Sequence, residues 1–173
     1  LLLPSIGVGG YCLTKDPLFL NSFAKSFGSS FKTALTSREV NNSMPIYSAQ
    51  RIDETIKKQF SLVEIKEIKI AILGLAFKNN TGDCRFTPTI PAINYLKDKG
   101  YSISVFDDKI SDKDFSFFKE VNKVNSINEA ISNCHVIAFF SGHKEFHKLS
   151  LNDMKSSLKK GAIVYDGRMF FSR

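Results

Sequence analysis

A chain of 173 residues can hold one full domain plus an appendage, and an apolar content of 43% is ordinary for a globular protein. The net charge of +7 is scattered: the longest basic runs are the pairs Lys57-Lys58 and Lys159-Lys160, without the clustered stripe expected of a nucleic-acid binder. No apolar run approaches the roughly 20 residues of a membrane-spanning helix. Three cysteines, an odd number without zinc-site spacing, argue against a disulfide framework and fit a reducing cytoplasm.

The chain opens on "LLLPSI", which is too short and lacks the positive flank of a signal peptide. With no Met and no polar lead-in, it reads as a fragment whose N-terminal part is missing. "SIGVGGYCLTKDP" follows as a glycine-rich loop running into a helix, with Asp16 as the expected N-cap and Pro17 in the first turn. Gly28 should end that helix. Ser30 to Phe60 has a helical pattern, with Ile52, Ile56 and Phe60 on one stripe, and Pro45 is expected to kink or split it. A helix of this length suits a domain connector and dimer interface; two ordinary packed helices fit the pattern as well.

From Ile68 the period changes. "IKIAIL", "YSISVFD", "HVIAFF" and "AIVYDG" read as strands, separated by "TPTIPAINYLKDKG", by "SINEAI" with a capping box from Ser126 to Glu129, and by "SLNDMKSSLKKG" with Ser150 as cap and Gly161 as stop. The predicted fold is therefore α/β: a long connecting helix, then a Rossmann-like parallel sheet with helices on both faces. We divide it at 1–62 and 63–173. Ligands in such sheets gather at the carboxyl ends of strands, here "LGLAFK", "FDD", "FSGH" and "YDGR". The turn after the first strand lacks the G-x-G-x-x-G fingerprint, because Phe77 stands where a backbone would have to touch pyrophosphate. Phe77 and Lys78 there point to side-chain contacts with a charged, ring-bearing ligand.

Cys12 has the setting of a nucleophile: a helix start and Lys15 nearby favour a thiolate in general, and Asp16 follows at i+4 on the same face. Gly7, Gly9 and Gly10 would let the backbone press against a ligand. The residues alone leave a small buried hydrophobe as the other reading. Cys84 and Cys134 read as structural. His143 and His147 lie at i, i+4 but lack a third ligand, so no metal is expected. Lys78 and Arg85 could bind phosphate, with Arg168 at the same rim; alternatively Asp83 pairs with Arg85 and fixes the loop.

Together, "PSIGVGGYCLTKD", "GLAFKNNTGDCR" and "YDGR" resemble, in order, the catalytic-cysteine loop (G-x-G-G-x-C-x-x-K-D), the opening of the C-terminal domain and the closing motif of the UDP-glucose/GDP-mannose dehydrogenase family. The resemblance implies oxidation of a nucleotide sugar at C6 to a carboxylate in two hydride transfers to NAD. It implies Cys12 as the nucleophile that forms a thiohemiacetal and then a thioester, and Asp16 as an activator of the hydrolytic water. The loop from Leu3 to Gly9, including Ser5, Gly7 and Val8, would wrap the nucleotide sugar, with Phe77, Lys78 and Arg168 completing the pocket. Cys12 to Lys15 and Arg85 would approach NAD, and the long helix would form a homodimer.

The family's N-terminal NAD-binding domain and its upstream active-site lysine and asparagine are absent. The expectation is that this chain alone has no dehydrogenase activity. For substrate, the cysteine loop is close to UDP-glucose enzymes, while "REVNNSMP" and "DPLFL" lean toward UDP-N-acetylhexosamine enzymes; UDP-glucose is the reading taken. The "AFGGSCLPKD" pattern of GDP-mannose enzymes is missing. A non-catalytic nucleotide-sugar-binding and dimerisation module is the alternative of another class.

Overall fold

The computed structural model describes residues 5–118 and 121–171. Two helices come first, α1 (Tyr11–Lys25) and α2 (Lys32–Gln59). The α/β unit follows: β1 (Lys69–Leu73), α3 (Thr89–Asp98), β2 (Ser102–Phe106), α4 (Asp112–Phe115), β3 (Asn122–Lys123), α5 (Ile127–Ile131), β4 (Val136–Phe139), α6 (Leu151–Lys155) and β5 (Ile163–Asp166). The five strands are all parallel, in the order β3-β2-β1-β4-β5. No helix among the described residues is long and apolar enough to cross a membrane.

Strand pleating sorts the core into two layers. On one face of the sheet Ile70, Ile72, Val136 and Ala138 meet Ala49, Ile52 and Ile56 of α2 and Ala92, Ile93 and Leu96 of α3. On the other, Ala71, Leu73, Ile137 and Phe139 meet Ala130 and Ile131 of α5 and Met154 of α6. Both faces of β1 and β4 are covered, which is why these strands are continuously apolar rather than alternating. The order also fixes a switch point. From β1 the chain builds outward through β2 and β3, then returns to build β4 and β5 on the other side. Loops at the carboxyl ends of β1 and β4 therefore diverge and leave a crevice between them.

Four local expectations are corrected, in whole or in part. α1 begins at Tyr11 with Gly10 as N-cap, so Asp16 and Pro17 lie inside the helix instead of opening it. α2 runs 28 residues through Pro45 without being split. α6 stops at Lys155, well before Gly161, although Ser150 does cap it by accepting the Asn152 N–H. The Ser126 cap is present, but the Glu129 carboxylate accepts from the Asn125 N–H instead of returning to Ser126.

α2 is tied to the sheet by more than apolar contact. Asp53, buried on its inner face, accepts from the Tyr101 hydroxyl at 2.5 Å and from Lys57 Nζ at 2.7 Å. Burial pushes the Asp53 carboxyl up, but the Lys57 and Tyr101 donors outweigh it and hold the group below its ordinary value.

Candidate functional site

The cysteine loop docks on the turn after β1. A Cβ at Gly9 would stand 2.5 Å from the Phe86 carbonyl and 2.7 Å from Phe77 Cβ; one at Gly10, whose φ is +87°, would stand 2.8 Å from the Phe77 ring. At Gly9 and Gly10 a side chain is excluded already by the protein itself, because the backbone there presses against Phe77 and Phe86. The Gly10 N–H completes the joint by donating to the Arg85 carbonyl at 3.0 Å. Cys12 and Asp16 then emerge, both exposed, on the first turns of α1.

Pro17 has no N–H, so the Leu13 carbonyl four residues earlier loses its helical partner. Arg38 of α2 supplies one: it donates to the Leu13 carbonyl at 3.1 Å, to the Val8 carbonyl at 3.4 Å and to Asn42 Oδ1 at 2.8 Å. The guanidinium is buried, and burial pushes its pKa down. Asn41 grips the same loop, accepting from the Val8 N–H at 2.9 Å and donating to its carbonyl at 3.2 Å. The segment that carries Cys12 is thereby held on both sides.

At the β1/β4 switch point lies a cleft of about 620 Å³. Ser5, Gly7, Val8, Gly9, Phe77, Lys78 and Arg168, the residues assigned to a nucleotide sugar by motif, all line it. Leu3 lies outside the described residues. Leu13, Asn79, Gly142, Met169 and Phe170 also line the cleft and were not singled out beforehand, as does His147, which was weighed only as a metal ligand. Cys12 does not line it, but stands between Gly9 and Leu13, which do. Lys15 faces a second cleft of about 470 Å³ shared with Tyr11, Arg38 and Phe86.

The cleft is electrostatically one-sided. Neither Lys78 nor the half-buried Arg168 has a carboxylate within ion-pair distance among the described residues. Burial pushes the Arg168 guanidinium down from its ordinary value. Arg85 differs: it forms a two-pronged pair with Asp83, Nε–Oδ1 2.8 Å and Nη2–Oδ2 2.5 Å, and its guanidinium lies over the Tyr11 ring at 5.3 Å. Asp83 thus does fix its own loop.

The two loops flanking the cleft are stitched together residue by residue. The Ser141 hydroxyl donates to the Ala76 carbonyl, the Gly142 N–H to Asn79 Oδ1 at 2.9 Å, and the Lys144 N–H to Asn80 Oδ1 at 2.8 Å. Between them, His143 Nδ1 accepts the Asn80 N–H at 2.9 Å. Arg168 Nη2 also donates to Asn79 Oδ1, at 2.6 Å. His147 sits apart from His143, its ring 4.4 Å from that of Phe170.

Residues 71–173 match the UDP-glucose/GDP-mannose dehydrogenase family, UDP binding domain, and residues 1–43 match the same family's central domain. The chain belongs to this family. It is 30% identical over 175 residues to UDP-N-acetyl-D-mannosamine dehydrogenase of Methanocaldococcus jannaschii, covering 100% of this chain and 37% of that protein. It is 28% identical to UDP-glucose 6-dehydrogenase 3 of Oryza sativa subsp. japonica, covering 95% of this chain and 38% of that protein. Among solved structures, UDP-D-ManNAc dehydrogenase from Pyrococcus horikoshii superposes with a TM-score of 0.82 at 27% identity, over 98% of this chain and 37% of that one. The chain spans a little over a third of the length of the curated relatives it matches.

The family uses NAD, and this family member's parallel sheet does not fit that cofactor. A dinucleotide needs the free N–H groups of a tight turn leading directly into a helix. Here the Leu75 and Ala76 N–H groups donate to Asp107 Oδ2, at 2.7 and 3.3 Å, and the next helix starts only at Thr89. A carboxylate of the protein occupies the place of a pyrophosphate.

Proposed function

We propose that the chain is the nucleotide-sugar-binding and nucleophile-bearing part of an NAD-dependent UDP-sugar 6-dehydrogenase, which oxidises a C6 hydroxyl to a carboxylate. The observation that carries this reading is the cleft at the switch point, where Lys78 and Arg168 have no carboxylate in ion-pair range among the described residues, on a wall continued by the glycine loop. A diphosphate supplies the missing negative charge. Val8, Phe77 and Phe170 offer apolar surface to base and sugar rings. The loop then leads from the cleft to the exposed thiol of Cys12.

NAD, when bound in the whole enzyme, accepts the two hydrides. The Cys12 thiolate adds to the C6 aldehyde of the half-oxidised sugar: a carbon–sulfur bond forms and the carbonyl oxygen takes a proton. Loss of the second hydride from C6, with release of the hydroxyl proton to solvent, leaves a thioester. Water then attacks that carbon, the carbon–sulfur bond breaks, and the carboxylate leaves with the thiolate restored. Asp16, one helical turn from Cys12, takes the proton from the attacking water. Lys15 and Arg85 serve the cofactor side of this site. The turn after β1 offers no dinucleotide cradle, so the expected behaviour of the chain by itself is to bind nucleotide sugar and to reduce no NAD.

Two substrates have support. Relatives named UDP-N-acetyl-D-mannosamine dehydrogenase, at 26–33% identity, favour a UDP-N-acetylhexosamine over the UDP-glucose suggested by the cysteine loop. The rice relative keeps UDP-glucose as the second reading. Replacing Cys12 by Ser in the full-length enzyme tests the mechanism: turnover should be lost while UDP binding to the cleft persists. Undiminished turnover would leave only a binding and dimerisation module.

A further inference from the structure

The chemistry above leaves one fully buried titratable pair unused. The side chains of Asp107, just past β2, and His143, just past β4, have no solvent exposure and meet at 3.0 Å between Asp107 Oδ2 and His143 Nε2. Among the described residues its other hydrogen-bond partners are all backbone donors: the Leu75 and Ala76 N–H groups on Oδ2 and the Lys109 N–H on Oδ1 at 2.9 Å.

The partners fix the protonation pattern of the imidazole. A backbone N–H can only donate, so the Asn80 N–H at 2.9 Å requires a lone pair on Nδ1. The single ring proton then sits on Nε2, facing Asp107. Asn80 is where this matters. Its φ of +57° is a left-handed conformation that reverses the chain directly after Lys78 and Asn79. Asn79 in turn holds Arg168. One ring nitrogen therefore sets the turn on which the first cation sits and, through Asn79, the anchor of the second.

We propose that His143, locked by Asp107 as the neutral Nε2–H tautomer, is a positioning residue that sets the geometry of Lys78 and Arg168 for a nucleoside diphosphate without touching it. This rests on the cleft being the nucleotide site. Hydrogen-bond continuity carries the argument: removing the Nδ1 acceptor breaks a part-buried bond and leaves the Asn80 N–H without that partner, at a residue whose backbone is already in a sparsely populated region. The Phe146 ring beside His143 offers no acceptor in its place. Glutamine can, since its amide nitrogen can donate to Asp107 while its oxygen accepts from Asn80.

The test is UDP titration by calorimetry on the 173-residue chain, wild type against His143→Gln and His143→Leu, with circular dichroism to establish folding. Wild type and the glutamine variant should bind within about threefold of each other, and the leucine variant at least about tenfold more weakly. Nitrogen-15 NMR of the wild type should show an unprotonated Nδ1 and a protonated Nε2, a signature that a merely space-filling histidine has no reason to hold. A folded leucine variant that binds UDP like the wild type overturns the proposal, as does a ring protonated on Nδ1. If the leucine variant does not fold, the glutamine affinity and the nitrogen-15 pattern decide. Absence of UDP binding by the wild type is a different result: it removes the cleft reading itself.

Discussion

Pro17 and Arg38 are 21 positions apart, yet each explains the other. A proline at the seventh position of α1 leaves the Leu13 carbonyl without its helical donor, and the buried guanidinium of Arg38 fills the gap. Replacing Arg38 by Met, similar in length but without donors, should cost about 1–3 kcal/mol of stability for each polar group it leaves unsatisfied, read as a lower urea midpoint. Pro17→Ala restores an N–H to the Leu13 carbonyl, so in the Arg38→Met background it should recover part of the loss, while in the wild type it gains less. Additive effects in that double-mutant cycle would show that the two residues are not coupled. The three cysteines also separate at this scale. Cys12 is exposed, whereas Cys84 and Cys134 are buried and burial pushes their thiols up to about 12. Native labelling with a maleimide at neutral pH should therefore modify one thiol rapidly, identified as Cys12 by peptide mass; fast labelling of Cys134 would contradict the packing of the second core layer.

Elements were legible in the sequence wherever burial is two-sided. β1 and β4 announce themselves as apolar runs because helices cover both faces; the end of β1 already pointed to Phe77 and Lys78, and the end of the partly buried β5 to Arg168. Two kinds of information were missing. Helix starts failed where a tertiary contact overrides local chemistry: Asp16-Pro17 has the look of a cap, but Gly10, pressed on Phe77, opens α1 instead. The clamp of His143 on Asn80 spans 63 positions, and no local pattern marks its partners. α1 and α2 leave a further mark, an outer surface with Leu18, Phe19, Phe23, Phe27, Val40 and Tyr47 exposed. We propose a second copy of the chain as its cover, in keeping with the dimer expected from the long helix. Phe19→Glu with Phe23→Glu should turn a dimer into a monomer in sedimentation or light scattering, with circular dichroism unchanged. A monomeric wild type at tens of micromolar would refute the dimer.

For the whole molecule, the groups joining α2 to the sheet and the two cleft loops to each other predict the shape of stability against pH. Asp53 and Asp107 are both held below the ordinary carboxylate value: burial raises each, but donors from Lys57 and Tyr101, and from His143 and Leu75, outweigh it. In the unfolded chain these carboxyls titrate at about 4. Their contribution is thus complete above that pH and is lost as the pH falls through the lower folded values, where the unfolded state binds more protons. The other arm has the opposite sign. Cys84, Cys134 and Tyr101 are raised in the folded state, so their contribution is complete below their ordinary values. It fades as the pH climbs past about 8.5 for the thiols and about 10 for the phenol. Urea midpoints measured from pH 3 to 11 should form a plateau between these arms. Tyr101→Phe should lower the plateau and shrink both arms, because Asp53 loses a donor and the phenol no longer titrates. The remaining acid arm then belongs to Asp107 and to Asp53, which Lys57 still holds down, and the remaining alkaline arm chiefly to the two thiols. A Tyr101→Phe profile that is merely shifted down, with both arms intact, would mean that the bond between α2 and the sheet is not what the pH reads.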